Sequence, residues 1–164
     1  ISDMYTLKEN FGTMDNLNIV WMGDMNNVLF SLLEVIFFTK NTKVDVFTDE
    51  SVYSKNKDNF NFNENINFHF EIDKNVISKA NCIMTDVFTS MNDNENKEKL
   101  LSKFQVNDQI MSLTNEKAVF MHCLPAKIGS EVTEDVIKGE KSIVLSQAKN
   151  RLVAQKGILK WLSI

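Results

Sequence analysis

One unit recurs along this chain: a short apolar run, a polar turn, then a stretch with helical spacing. It starts at residues 18–23 (NIVWMG), a run closed by a glycine and followed by Asp24, Met25, Asn26 and Asn27 before a helical stretch over 28–39. Residues 43–48 (KVDVFT), 67–72 (NFHFEI), 82–88 (CIMTDVF) and 118–123 (AVFMHC) repeat the strand signal, and 142–145 reads as a short last strand. Between them the sequence predicts a short helix capped by Ser51, and a helix over 73–79 with Asp73 as its N-cap. Helical spacing over 100–113 breaks around 105–108. A helix over 131–138 stops at Gly139, and a long final helix covers 146–162. The 28–39 segment is apolar nearly all round, which predicts burial on two sides. Strands alternating with helices at this spacing predict an α/β fold: a Rossmann-like three-layer domain with a central parallel sheet of about five strands and helices on both faces.

With 164 residues, 43% of them hydrophobic, the chain has material for one core and therefore one domain. The longest apolar stretch, 28–38, contains Ser31 and Glu34 and falls short of the roughly 20 residues a bilayer span needs. No basic segment leads into an apolar block, so a secretory signal is not expected. Two cysteines, Cys82 and Cys123, are too few for a disulfide framework and point to a reducing compartment. A net charge of −4 gives no electrostatic reason to expect nucleic acid. The turn after the first strand lacks the second and third glycines of a dinucleotide site, which argues against a nicotinamide or flavin cofactor.

In a parallel sheet the ligand sits outside the carboxyl ends of the strands, so the residues just beyond each strand are the candidates for chemistry. After the first strand, either Asp24 or Asn26 simply caps the next helix, or an Asn side chain at the strand end holds a small polar ligand. Beyond the fourth, Asp86 is costly near the end of a buried strand unless backbone N–H groups or a cationic ligand such as an ammonium group satisfy it. The fifth strand delivers His122, Cys123, Leu124 and Pro125, the last being the only proline, which closes the strand. One histidine and two cysteines without paired spacing make a poor zinc site, and neighbouring residues on a strand point to opposite faces, which weakens a Cys–His pair. Arg151, the only arginine of a Lys-rich chain, offers a planar fork of donors suited to a carbonyl oxygen, carboxylate or phosphate; the bland alternative is a helix-surface cation.

Four segments together resemble, in order and spacing, the second domain of the ornithine carbamoyltransferase family. They are Gly23-Asp24-Met25-Asn26-Asn27 with Ser31, Thr85-Asp86-Val87-Phe88-Thr89-Ser90-Met91, His122-Cys123-Leu124-Pro125, and Ala148-Lys149-Asn150-Arg151. The opening residues 1–6 and the final helix are similar to the segments that begin and close that domain, so the resemblance covers essentially the whole chain. It implies that residues 1–164 form the ornithine-binding, C-terminal domain of an enzyme in which the δ-amino group of ornithine attacks carbamoyl phosphate to give citrulline and phosphate. Carried over residue by residue, Asn27, Asp86, Ser90 and Met91 match positions that bind ornithine. Cys123, Leu124 and Arg151 match positions that meet carbamoyl phosphate, with Cys123 as proton acceptor, Arg151 on the carbamoyl oxygen, and His122 and Pro125 in support. The catalytic set would be Cys123, Arg151 and Asp86, with no cofactor and no metal.

Three positions depart from the family pattern: Met25 and Asn92 stand where glycines are usual, and Phe30 where a histidine is common. The family's phosphate-binding Ser-Thr-Arg-Thr loop has no counterpart here, so the carbamoyl-phosphate domain is expected to be absent from this chain and the 164 residues alone to be inactive. The resemblance further implies a homotrimeric full-length protein; a cytoplasmic or organellar, for example mitochondrial, setting is expected, and the charge and the short apolar stretches predict no nucleic-acid or membrane partner. The alternatives are a non-catalytic amino-acid-binding domain and a carbamoyltransferase for another amine such as putrescine.

Overall fold

The computed structural model describes residues 1–60, 64–89 and 97–163. Within these, one parallel sheet forms the centre, in the order β3-β2-β1-β4-β5, from β1 (Asn18–Met22), β2 (Lys43–Phe47), β3 (Ile66–His69), β4 (Cys82–Thr85) and β5 (Val119–His122). Its register runs Trp21↔Val46 on one side of β1 and Trp21↔Met84 on the other, and Thr85↔His122 joins β4 to β5. The helices are α1 (Ser2–Phe11), α2 (Asn27–Ile36), α3 (Glu50–Asn56), α4 (Lys74–Ile77), α5 (Glu98–Leu101), α6 (Asp108–Leu113), α7 (Glu134–Lys138) and α8 (Val144–Leu162). The order winds outward from β1 to β3 and then returns to β4 and β5. Parallel connections are right-handed as a rule, so the crossovers on either side of that reversal are expected to put helices on opposite faces. Central strands covered on both faces bury nearly every residue: all of Cys82–Thr85 and all of Val119–His122 are buried.

Several expected elements come out differently. The last strand over 142–145 reduces to a single bridge, Phe120↔Ser142, because Val144 and Leu145 already belong to α8. Asp49, not Ser51, caps α3, its carboxylate accepting from the Ser51 N–H. The helix expected from residue 131 begins at Glu134; before it, Val132 bridges Val106, and the Glu131 carbonyl accepts from the Val106 N–H. α2 is not buried all round. Leu29, Leu32, Leu33 and Ile36 face the core, the helix ends at Ile36, and Phe38 beyond it is 88% exposed.

α1 packs on α8, which lies against β5, and the join between the two helices includes buried polar side chains. On α8 only Val144, Gln147 and Asn150 are buried. The Gln147 amide donates to Asp3 Oδ1 at 2.8 Å, and the Asn150 amide donates to Thr6 Oγ1 and Glu9 Oε2. Asp73 caps α4 as expected, and the break in the 100–113 helix falls between Phe104 and Asp108.

At the reversal β1 and β4 end side by side, the place where an open parallel sheet has its ligand crevice. Gly23 makes the close approach possible. Its φ of +128° lies in a region that disfavours any side chain, and a Cβ there would come within 2.8 Å of the Phe88 ring. Gly23→Ala should lower stability by about 1–3 kcal/mol. Urea unfolding followed by the fluorescence of the fully buried Trp21 would measure it, and an unchanged midpoint would refute the close-packing account.

Candidate functional site

Three strand ends meet at the crevice, and Asp86, just past β4, is where they join. Its Oδ2 accepts from the Asn26 side-chain amide at 2.8 Å and its Oδ1 from the Cys123 thiol at 3.1 Å. The same Asn26 caps α2, its carbonyl oxygen accepting from the N–H groups of Val28 and Leu29 at 3.0 and 3.2 Å. One side chain thus uses both ends: its oxygen starts the helix and its amide holds the carboxylate. Each carboxylate oxygen has accepted one bond, which leaves lone pairs for a ligand donor.

The Cys123 thiol is a donor in this arrangement. Burial first, then the charge of Asp86 and the hydrogen bond to it, push its pKa far above the ordinary cysteine range. Cys82, the other cysteine, is fully buried, and burial pushes its thiol up as well.

Behind Cys123 lies a fully buried layer. His122 Nδ1 accepts from the Leu124 N–H at 2.9 Å, and His122 Nε2 lies 3.0 Å from Glu131 Oε1, with both side chains 0% exposed. Glu131 Oε1 also accepts from the Lys127 N–H, and the His122 N–H donates to Gln147 Oε1. Leu124 sits at φ +51°, a left-handed conformation rare for leucine, and the Leu124–Pro125 peptide is cis. Asp86, His122 and Cys123 bring one potential metal-ligand atom each within 4.8 Å of one another. In this arrangement both ring nitrogens of His122 are engaged in hydrogen bonds and the Cys123 thiol donates to Asp86, so the three atoms serve a hydrogen-bond network.

On the β1 side, Asp24 is buried and pairs with Lys97 at 2.9 Å, and the Trp21 indole donates to the Asp24 carbonyl. Met25 is buried in the core, and Phe30 stacks on Phe60 with ring centres 6.0 Å apart. Asn27 opens α2 as an exposed residue, while its neighbour Asn26 reaches Asp86. Ser90, Met91 and Asn92 lie outside the described residues. Arg151 is exposed on α8, one turn beyond Gln147, and makes no hydrogen bond or ion pair among the described residues.

The structure therefore brings Asp86, Cys123 and Leu124 into one cluster and leaves Asn27 and Arg151 facing solvent. Asn26 as partner of Asp86, Glu131, Gln147 and Lys97 were missed from sequence. Only Asn26 carried a local signal, its place just before a helix.

The family described as aspartate/ornithine carbamoyltransferase, Asp/Orn binding domain, matches residues 15–162. The ornithine carbamoyltransferase of Rhodopseudomonas palustris (strain BisA53) is 38% identical over 98% of this chain and 53% of its own length. Among solved structures, the ornithine carbamoyltransferase of Thermus thermophilus aligns with a TM-score of 0.81 at 37% identity, covering 96% of this chain and 52% of that one. That of Pyrococcus furiosus aligns at 0.79 and 34%, covering 96% and 53%. The chain spans about half the length of the curated relatives it matches.

The thiol geometry has a direct chemical readout. Iodoacetamide should label Cys123 slowly at mildly alkaline pH. Asp86→Asn, by removing the charge that raises the thiol pKa, should speed labelling by about tenfold. Equal rates in the two proteins would contradict the assigned contact.

Proposed function

Since the chain belongs to the aspartate/ornithine carbamoyltransferase family, we propose that it is the ornithine-binding half of an ornithine carbamoyltransferase, one that makes citrulline and phosphate from ornithine and carbamoyl phosphate. The observation that carries this reading is the Asp86 carboxylate, held from two sides at the switch point with lone pairs to spare. An ornithine side chain ends in an ammonium group, and an ammonium donates to a carboxylate of this kind with a charge-assisted bond.

The δ-amino group must lose a proton before it can attack the carbamoyl carbon. Asp86 is the acceptor in reach. Cys123, protonated and donating to Asp86, orients that carboxylate, so the thiol acts here as a donor where the family resemblance makes it a proton acceptor. The Asn26 amide holds the other oxygen and prevents the carboxylate from rotating away. Ser90, Met91 and Asn27 remain proposed contacts for the amino-acid end. As the tetrahedral intermediate forms, negative charge builds on the carbamoyl oxygen, and the exposed fork of Arg151 is suited to it. Leu124, whose backbone N–H is committed to His122, lines the turn between the two reactants, with Pro125 following it.

The carbamoyl phosphate needs further cations, and this chain offers a single arginine. A second domain, outside residues 1–164, would bind the phosphate, with these residues alone giving no citrulline. The proposal extends to a homotrimeric full-length protein in the cytoplasm or an organelle; among the described residues no helix is long and apolar enough to cross a membrane.

Calorimetry tests the substrate end. Ornithine should bind the wild-type chain, and Asp86→Asn should raise Kd by about tenfold or more, the worth of one charged hydrogen bond. Undiminished binding by Asp86→Asn would overturn the assignment, and binding of putrescine with equal strength would favour the other amine. With the carbamoyl-phosphate domain supplied, Arg151→Lys should cut turnover by about a hundredfold or more. Citrulline formation at the wild-type rate would remove Arg151 from the mechanism.

A further inference from the structure

The His122–Glu131 pair is expensive to bury. Both side chains are fully enclosed, yet the two bonds to Glu131 fall on the same oxygen, and Oε2 has no partner among the described residues. Taking a carboxyl group out of water for so few contacts contributes little to stability, and an apolar pair of the same volume would hold the fold as well or better. The pair does fix one thing that an apolar pair could not. The Leu124 N–H points at His122 Nδ1, which must therefore carry a lone pair, so the ring is neutral with its proton on Nε2, and that proton is directed at Glu131 Oε1. Leu124 is thereby held in its left-handed conformation, and the preceding residue, Cys123, is turned so that its thiol meets Asp86.

We infer that Glu131 is a positioning residue: by accepting the Nε2 proton of His122 it locks the tautomer that holds Leu124 in the left-handed turn and aims the Cys123 thiol at Asp86. It touches neither reactant and acts through His122, much as an outer carboxylate fixes a histidine tautomer in other sites. The Lys127 N–H, donating to the same Glu131 oxygen, ties the chain after the turn to this lock. The assignment rests on the ornithine-site reading only for its catalytic meaning; the lock itself is a property of the free chain.

The test is ¹⁵N-histidine NMR at neutral pH, combined with the alkylation rate of Cys123, for which the fully buried Cys82 serves as an unreactive reference. In the wild-type chain the ring of His122 should show a pyrrole-type Nε2 and a pyridine-type Nδ1. Glu131→Gln keeps an acceptor oxygen and should retain both the tautomer and the slow alkylation. Glu131→Leu should give mixed tautomers and raise the alkylation rate by about tenfold. A wild-type ring protonated on Nδ1, or a Glu131→Leu chain that loses stability while keeping the wild-type tautomer and rate, would overturn the proposal. If Glu131→Leu does not fold, Glu131→Asp withdraws the acceptor by one methylene and takes its place: mixed tautomers support the lock, and a wild-type spectrum overturns it. Neither readout involves ornithine. The expected tautomer in a chain that fails to bind ornithine would leave the lock standing and remove the substrate reading. Ornithine binding with the wrong tautomer would do the reverse.

Discussion

A carboxylate at the mouth of a parallel sheet has to be supplied with donors, and the way Asp86 acquires them ties three separate parts of the chain together. Asn26 follows β1, Asp86 follows β4 and Cys123 follows β5, so the two bonds to Asp86 span the point where the strand order reverses. Neither partner is free to move independently. Asn26 is fixed by starting α2, and Cys123 by the left-handed turn behind it. A ligand ammonium approaching Asp86 therefore meets a group whose orientation is already set, which lowers the ordering cost of binding.

The support for that arrangement reaches to the chain's first helix. His122 is held through its ring by Glu131 and through its backbone by Gln147, and Gln147 in turn donates to Asp3 on α1. α8 is thus anchored by polar side chains, with Leu145, Leu152, Leu159 and Trp161 left exposed. Arg151 lies one turn beyond Gln147 on that helix, so the anchoring of α8 also sets where the guanidinium begins its reach. Buried hydrogen-bonded networks of this kind specify geometry more than they add stability.

Much of this was legible in the sequence, for identifiable reasons. The five strands are short, apolar and separated by helical stretches, and periodicity reads such patterns well. Asp86 and Cys123 stood out because strand ends in a parallel sheet are where ligands sit. What could not be read depends on long-range polar contacts. Glu131 looks like the first residue of a helix until His122 is placed beside it, nine residues away. α1 has too few apolar residues, Met4 and Leu7 among them, to announce a helix. α8 has apolar residues in abundance, but it buries Gln147 and Asn150 in preference to most of them. Asn26 reaches Asp86 because it is the residue that caps α2, whereas Asn27, one residue further on, is exposed, a difference of helix phase that the sequence does not announce.

The central claim is that Asp86, held by Asn26 and Cys123, receives the terminal ammonium of the substrate. A structure of the ornithine complex tests it most directly. The account predicts the δ-nitrogen within about 3 Å of an Asp86 carboxylate oxygen, with the Asn26 and Cys123 bonds retained. An ornithine bound with its δ-nitrogen outside hydrogen-bonding reach of Asp86, or with its α-amino group there instead, would contradict it.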